Sequence, residues 1–179
     1  EFAAALHNFS TLEKLLNYAV GRHFPHIKTN KNVALEVLKQ VMQLQADLIV
    51  NWMRVGFIHG VMNTDNMAIS GETLDYGPCA FMDAYDPNTV FSSIDINSRY
   101  SYANQPSIAQ WNLARLAEAL LPLICSDTKK SAAIAQDTIK EFSAIINYKW
   151  LTMMRAKLGL ETSYREDKKL IHDLLDWMH

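Results

Sequence analysis

The stretch HGVMNTDNMAISGETLDYGP, residues 59–78, holds the most informative pattern of polar and apolar residues in the chain. Asp65 and Asn66 are followed by a short apolar run, a Ser-Gly turn at 70–71, a second apolar run and then Asp75. If the middle folds as a tight hairpin, Asn66 and Asp75 come to the same end of it, with Asp65 beside them. Such oxygen ligands suit Mg²⁺, which binds one or two carboxylates and keeps waters or substrate phosphates as its other ligands. The pattern therefore predicts the metal-binding half of a phosphoryl- or nucleotidyl-transfer site.

Composition alone leaves a second interpretation of this stretch open. Asn, Asp, Gly and Ser are also the commonest turn residues, because they tolerate left-handed backbone conformations and hydrogen-bond to their own backbone. A purely structural loop explains the same residues about equally well. The choice between loop and metal site therefore depends on the sequence that surrounds them.

The spacing of three positions in this stretch resembles the catalytic loop and metal-binding turn of protein kinases. Kinases carry H-R-D-x-x-x-x-N followed by D-F-G, and this chain has His59, then Asn66, then the triplet at 75–77. The resemblance gives Asn66 and Asp75 the roles of metal ligands and gives His59 a structural role in support of the loop. Val61 stands where kinases have their catalytic Asp, and a valine can neither accept a proton nor orient a hydroxyl. Hydroxyl phosphorylation by the standard kinase arrangement is therefore not expected.

Three longer strings narrow the resemblance to one family. They begin at His59, Leu74 and Ser98 and read HGVMNTDNM, LDYGPCAFMD and SRYSYANQPSIAQWNLARLAEAL. They closely resemble selenoprotein O and its bacterial relatives, and the similarity runs from about Phe2 to about Leu158.

The selenoprotein O resemblance implies a kinase-like protein, of a kind long classed as pseudokinases, that transfers AMP from ATP to Ser, Thr or Tyr hydroxyls of proteins. It implies Asp65 as the catalytic, base-like carboxylate, and Asn66 and Asp75 as ligands of the Mg²⁺ or Mn²⁺ that accompanies the nucleotide. The implied partners are ATP and protein substrates. The implied location is the cytoplasm for a bacterial source and the mitochondrion for a eukaryotic one.

The predicted fold is mainly α, a protein-kinase-like C-lobe with a short β-hairpin at the metal site, and residues 1–179 are expected to form a single domain. The chain has 6 glycines, none of them in the G-x-G-x-x-G spacing that cradles phosphates. No V-A-I-K-like strand precedes His59. We therefore interpret the chain as a C-lobe fragment of a longer protein, without the N-lobe and its phosphate-binding residues. We expect the fragment to be inactive on its own.

Composition excludes several classes of partner. The chain of 179 residues is 49% hydrophobic, which is enough to bury the core of one domain. A net charge of −2 predicts no basic surface for nucleic acid. No apolar run reaches the roughly 18 residues of a membrane span, so no membrane contact is expected. Cys79 and Cys125 predict buried thiols in a reducing compartment rather than a disulfide framework.

Helix signals dominate the rest of the chain. Ser10 and Glu13 have the spacing of a capping box at the start of a first helix. That helix should end near His23 and Phe24, because Pro25 disfavours helical geometry in the residue before it.

A second helix is predicted to run to about Val55, capped by Asn30 or Asn32, because its apolar residues recur with a 3.6-residue period. Three more helices are predicted at about 106–121, 131–158 and 165–178. The tryptophans fall on predicted helices and are expected in the core: Trp52, Trp111, Trp150 and Trp177.

Residues 83–106 are rich in Asp, Asn, Ser and Tyr without a sustained period, which predicts an ordered loop. By the resemblance this loop corresponds to the kinase activation segment and contributes to the protein-substrate surface. For Arg99 an ion pair is the favoured interpretation, ahead of direct contact with phosphate.

Two alternative functions remain open at this stage. A kinase-type phosphotransferase would pass the γ-phosphate of ATP, and Val61 argues against it. A non-catalytic pseudokinase module would only bind a partner, and the retention of Asp65, Asn66 and Asp75 argues against that, because a scaffold has no physical need for clustered metal-type ligands.

Overall fold

The computed structural model describes residues 2–28 and 31–179. Over these residues it contains six α-helices, two short β-strands and two single 3₁₀ turns. In chain order they are α1 (Phe2–Ala5), α2 (Phe9–His23), α3 (Val33–Arg54), β1 (Phe57–Ile58), a 3₁₀ turn (Thr64–Asn66), β2 (Ala80–Phe81), a second 3₁₀ turn (Tyr102–Asn104), α4 (Gln105–Ile124), α5 (Thr128–Lys157) and α6 (Asp167–Met178). The prediction of a mainly helical chain is confirmed, and the assignment to a kinase-like C-lobe stays a prediction.

The long helices α3, α4 and α5 pack against one another and supply most of the buried apolar side chains. The 3.6-residue period of α3 buries one face of it, including Leu38, Ala46 and Ile49. Asn32 caps α3, because its side-chain oxygen accepts a hydrogen bond from the Leu35 amide at 3.1 Å. Its amide also donates to a carbonyl at the end of α4, so one residue both begins α3 and ties it to α4.

Helix α2 begins two residues earlier than a capping box at Ser10 would require. Asn8 is its cap, with a side-chain oxygen that accepts from the Thr11 amide at 3.1 Å. The capping-box prediction was therefore wrong, because Ser10 already lies inside the helix. The predicted end is confirmed, since α2 stops at His23, just before Phe24 and the proline. Asn30, the other predicted cap for α3, lies outside the described residues.

The short β-hairpin predicted at the metal site was wrong in its pairing. Strand β2 pairs antiparallel with β1, Phe57 opposite Phe81 and Ile58 opposite Ala80. Between them, residues 67 and 73 form only an isolated antiparallel bridge.

The reason the hairpin does not extend is that its turn packs on α3. Gln45 donates to the Ala68 carbonyl at 2.6 Å, and the Trp52 indole donates to the Thr73 hydroxyl at 3.0 Å. Gly71 forms the turn as predicted, with φ of +75°, and lies close to Leu44 of α3. Hydrogen bonds from side chains of α3 thus replace those that a second strand would have made with this segment.

The long segment before α4 is irregular but closely bonded. The amides of Tyr102 and Ala103 donate to carbonyls at Thr89 and Pro87. The Asp95 carboxylate accepts from two backbone amides further along the same segment. The prediction of an ordered loop is confirmed, and α4 begins at its end within one residue of the predicted position.

The prediction that all four tryptophans lie in the core is correct for only some of them. Trp52 is buried and Trp150 half-buried, whereas Trp111 is 41% and Trp177 84% exposed. The cysteines are half-buried rather than fully buried. Among the described helices, none is long and apolar enough to cross a membrane.

Candidate functional site

The backbone around His59 is held by a side chain from the start of α4. Gln105, fully buried, accepts a hydrogen bond from the His59 amide at 3.1 Å and donates its own side-chain amide to the Phe57 carbonyl at 3.1 Å. One glutamine thus satisfies two backbone groups on either side of Ile58. In the sequence, the only feature that pointed to Gln105 was its place in the family-like string that begins at Ser98.

His59 joins the two ends of the 59–78 stretch. Its ring is fully buried and stacks near Trp52, with the centroids 5.2 Å apart. Nε2 lies 2.6 Å from the Leu74 carbonyl oxygen, and Nδ1 lies 3.4 Å from the Val61 amide nitrogen. Because a carbonyl only accepts, Nε2 carries the proton and Nδ1 accepts from Val61. This agrees with the predicted structural role of His59.

Asn66 is oriented by the same loop. It closes the 3₁₀ turn, its backbone amide donates to the Asn63 carbonyl, and its side-chain amide donates to the Val61 carbonyl at 3.0 Å. Since the nitrogen of the amide is bound in this way, Oδ1 is the atom that Asn66 can offer to a cation. Val61, which lacks a carboxylate, contributes to the loop only through its backbone and its half-buried side chain.

Asp75 has an unusual backbone conformation for a residue with a side chain. Its φ is +53°, and its carbonyl accepts from the Gly77 amide at 2.8 Å, which makes a tight turn. Aspartate is among the few residues that tolerate this left-handed region, and such outliers cluster at functional sites. Its side chain is exposed.

Three connections bring the segments of Asn66 and Asp75 together. His59 binds the residue before Asp75, and the bridge from Met67 to Thr73 joins their flanking residues. Near the two ends of the 59–78 stretch, the backbone at Gly60 lies close to Pro78. Gly60 has φ of +82°, and a Cβ there would lie 3.0 Å from the Pro78 ring. The segments that carry Asn66 and Asp75 are thus connected by a buried histidine, an isolated bridge and close backbone contact rather than by an extended hairpin, and the shared site of the two side chains stays a prediction.

The predicted ligands form an all-oxygen set. Within residues 2–28 and 31–179, no three or more His, Cys, Asp or Glu side chains lie close enough together to hold a metal ion. The predicted ligands contribute only Asp75 to that class, together with the amide oxygen of Asn66. One carboxylate and one amide oxygen fit a hard cation that takes its remaining ligands from water and phosphate.

Two further side chains support the loop, one from α4 and one from the segment that precedes α4. Asn112, buried, donates to the Met62 carbonyl at 2.9 Å, and the Tyr100 hydroxyl donates to Asn63 Oδ1 at 2.7 Å. Sequence reasoning missed both as positioning residues, because nothing local in the sequence pairs them with residues about 40 to 50 positions earlier.

Arg99 is placed differently from its prediction. Its guanidinium carbon lies 4.7 Å from the centre of the Trp111 ring, and that of Arg115 lies 5.1 Å from the same ring. Among the described residues Arg99 forms no ion pair. Its charge is instead held over an aromatic face.

Comparison with known proteins places the chain in a family. The profile of the family described as protein adenylyltransferase SelO matches residues 1–179. The chain belongs to the SelO family. Proteins named protein nucleotidyltransferase YdiU are similar to it over 99% of its length, with 57% identity in Nitrosococcus oceani, 54% in Pelagibacter ubique and 52% in Agrobacterium fabrum. The chain spans 36–37% of the length of these relatives.

SelO membership confirms the resemblance inferred from the three sequence strings. The relatives' names support nucleotidyl transfer as the class of chemistry, that is, a transferase of the nucleotidyltransferase type. The roles of Asp65, Asn66 and Asp75 remain predictions, now with a described geometry. Asp65 is exposed in the 3₁₀ turn of Thr64–Asn66 and lines a cavity between α3 and α4.

Proposed function

We propose that the full gene product that contains this chain transfers AMP from ATP to hydroxyl groups of protein side chains. The observation that carries the proposal is the linkage of the Asn66 and Asp75 segments through His59 and Leu74, in a chain of the SelO family. Asp65, adjacent to Asn66 in the chain and exposed, is the carboxylate available to act on the substrate hydroxyl.

In the proposed reaction Asp65 accepts the proton of the substrate hydroxyl. The hydroxyl oxygen forms a bond to the α-phosphorus of ATP, the bond from that phosphorus to the bridging oxygen breaks, and pyrophosphate leaves. A positioned general base of this kind contributes about 10²- to 10⁴-fold to the rate. For the α-phosphorus to face Asp65, ATP binds in the reverse of its kinase orientation.

Asn66 and Asp75 hold Mg²⁺ or Mn²⁺ in the proposal. When bound, such an ion neutralises charge on the phosphates as the transfer proceeds. The chain's own contribution is orientation: Val61 fixes the Asn66 amide, and His59 fixes the backbone that presents Asp75. We also propose that the isolated 179-residue chain is inactive and that the phosphate-binding residues lie elsewhere in the gene product.

The test uses the full gene product with Mg²⁺ or Mn²⁺ and ATP labelled at the α- or the γ-phosphate. We expect α-label on protein, and its loss in Asp75→Asn, a variant that keeps a residue tolerant of the left-handed conformation. Asp65→Asn should bind ATP and metal but transfer about 10²-fold more slowly or worse. Asp137→Asn, an exposed carboxylate on α5, is the matched control and should leave transfer unchanged.

Two results would contradict the proposal. Label from the γ-phosphate alone indicates a kinase-type phosphotransferase and removes the reversed nucleotide. Absence of label from both positions, together with a melting temperature that Mg²⁺ and ATP do not shift, indicates the non-catalytic binding module.

A further inference from the structure

The turn that carries Asp65 is anchored on both sides by buried side chains of the helical core. On the side before it, Asn112 of α4 donates to the Met62 carbonyl at 2.9 Å. On the side after it, Gln45 of α3 donates to the Ala68 carbonyl at 2.6 Å. Because both amides are buried and held by the packing of α3 on α4, the backbone is fixed at these two positions.

Residues 63–67, between the two anchors, have far less support from the rest of the molecule. In the described part of the chain, one hydrogen bond reaches them from outside the 59–78 stretch. It comes from the Tyr100 hydroxyl, which donates to Asn63 Oδ1 at 2.7 Å. Asn63 and Asp65 are both exposed, so the core does not hold either side chain. The Tyr100 hydroxyl is therefore the directional contact that restrains this part of the loop.

Asn63 is the residue through which Tyr100 reaches the turn. It precedes the 3₁₀ turn, at a position where an asparagine side chain commonly accepts from an amide two or three residues later. Here it forms no such cap, and its Oδ1 accepts from the Tyr100 hydroxyl instead. Its main-chain carbonyl accepts from the Asn66 amide at 3.0 Å, which closes the turn around Asp65. Asn63 thus links the tyrosine to the hydrogen bond that shapes the turn.

Tyr100 is itself held in place by the segment that precedes α4. The Asp95 carboxylate accepts from the Arg99 amide at 2.8 Å with one oxygen and from the Tyr100 amide at 2.7 Å with the other. The Arg99 guanidinium carbon lies 5.8 Å from the centre of the Tyr100 ring and 4.7 Å from that of Trp111 on α4. The half-buried phenol ring therefore presents its hydroxyl from a defined position.

We propose that Tyr100 is a positioning residue for the transfer reaction and that it acts through Asn63 on the turn that presents Asp65. The inference rests on the proposed function, in which Asp65 takes the proton of the acceptor hydroxyl. The position of that carboxylate sets the rate of the chemical step, since a misplacement of about 1 Å can cost about 10²-fold. Asn66 is held separately, because its side-chain amide donates to the Val61 carbonyl. Loss of the Tyr100 hydroxyl therefore affects the base more than the predicted metal ligand.

The first test needs no transfer. In the full gene product, Tyr100→Phe keeps the ring and removes the hydroxyl. Hydrogen exchange of the Asn66 amide, followed by mass spectrometry, should then accelerate about three- to tenfold, as expected for the loss of one hydrogen bond. Tyr148→Phe, which removes an exposed hydroxyl on α5, is the matched control and should leave this exchange unchanged. Parent-like exchange of the Asn66 amide in Tyr100→Phe would overturn the link between the tyrosine and the turn.

The second test separates the base from the nucleotide site. With Mg²⁺, α-labelled ATP and dephosphorylated casein as the acceptor, Tyr100→Phe should lower kcat about three- to tenfold and change the KM for ATP less than about twofold. Its unfolding midpoint in urea should equal that of Tyr148→Phe, so that the lower kcat is not a loss of folded protein. A rise in KM for ATP with kcat unchanged would overturn the proposed action on Asp65.

A double-mutant cycle tests whether Tyr100 acts through Asn63. Asn63→Ala removes an exposed side chain and should lower kcat by a similar factor. Adding Tyr100→Phe to Asn63→Ala should then have no further effect, because the hydroxyl has already lost its acceptor. If the two effects on kcat multiplied, Tyr100 would act by another route and the proposed path would be wrong.

Failure of this inference can be told from failure of the proposed function. Faster exchange at Asn66 in Tyr100→Phe, with no α-label transferred by the parent to casein or to itself, would refute the proposed function and support the link from Tyr100 to the turn. Unchanged exchange together with active transfer by the parent would overturn the link and leave the proposed function intact.

Discussion

His59 and Leu74 are joined by a hydrogen bond of 2.6 Å from the imidazole Nε2 to a main-chain carbonyl oxygen. Leu74 immediately precedes Asp75, and His59 immediately precedes the loop that carries Asn66. The histidine therefore sets the separation between two predicted ligands without contacting either of them. A ring buried against Trp52 has little freedom to rotate, so that separation is fixed by the core.

His59→Phe should reduce stability and transfer together. A phenyl ring can keep the packing on Trp52 but cannot donate to Leu74, and an unpaired buried carbonyl costs about 1–3 kcal/mol. Urea unfolding should show that loss, and α-label transfer by the full gene product should fall at least about tenfold. The exposed His26, changed to Phe, is the control and should stay within about 0.5 kcal/mol of the parent. A parent-like stability for His59→Phe would contradict the role of the bond.

Gly71→Ala should be more damaging than Gly159→Ala, although the two glycines have similar φ values of +75° and +69°. At Gly71 the added Cβ would lie 2.8 Å from Leu44 Cβ, whereas at Gly159 no atom lies within 4 Å. The left-handed conformation alone costs about 1–2 kcal/mol for a non-glycine residue. We expect that cost at Gly159, and at least about 1 kcal/mol more at Gly71, where the turn must move off α3. Equal unfolding free energies for the two variants would refute the close packing.

Sequence periodicity predicted the helices well because their burial is a local property. The apolar repeat of α3 and its cap at Asn32 need only the residues within one or two turns. The proline rule placed the end of α2 at His23 for the same reason. The predicted roles of Asp65 and Asn66 came from the resemblance of three sequence strings to a family rather than from the spacing of residues.

Features that depend on contacts between residues far apart in the chain could not be predicted from the sequence. The predicted hairpin is replaced by a turn on α3, because Gln45 and Trp52 offer hydrogen bonds that a strand partner would otherwise provide. Arg99 lies over Trp111 instead of in an ion pair, and no local pattern pairs those positions. The hydrogen bond from Tyr100 to Asn63 likewise joins residues 37 positions apart and carries no signature in the sequence.

Asp167→Asn should loosen the attachment of α6 to α5. The Asp167 side chain is buried, its Oδ2 lies 2.7 Å from Arg155 Nε, and it also accepts from the Tyr164 amide at 3.0 Å. Loss of the charge weakens the hydrogen bonds of a partly buried guanidinium, which we expect to cost about 1–3 kcal/mol. Hydrogen exchange of the α6 amides should accelerate accordingly.

Asp173→Asn is the matched comparison within the same helix. Asp173 pairs with Lys169, but both side chains are largely exposed, so removal of this pair should cost less than about 0.5 kcal/mol. If both variants exchanged α6 amides at the same rate, the buried pair would have no special role in holding the helix.

Tyr102 should make the protein less stable in strong alkali. Burial, and then the neighbouring Tyr85, raises the pKa of Tyr102 to about 12, and its hydroxyl donates to the Met53 carbonyl at 2.7 Å. In the unfolded chain the pKa is near 10. Between about pH 10 and 12 the folded state therefore binds more protons than the unfolded state, so the free energy of unfolding falls as pH rises. The full contribution is present below pH 10, and its loss amounts to about 2–3 kcal/mol near pH 12.

The pH effect is isolated by comparison with Tyr102→Phe. At neutral pH this variant should be less stable by about 1 kcal/mol, because it lacks the bond to Met53. Other groups titrate in the same range, among them Tyr85, whose pKa is raised by burial and then by Asp176 and Asp86. Groups that do not interact with Tyr102 contribute equally in both proteins, so the difference in unfolding free energy, measured by urea titration at intervals from pH 9 to 12, reports Tyr102 together with its coupling to Tyr85. The advantage of the parent should disappear and then reverse as pH approaches 12, whereas a constant difference would show that Tyr102 titrates alike in the folded and unfolded states.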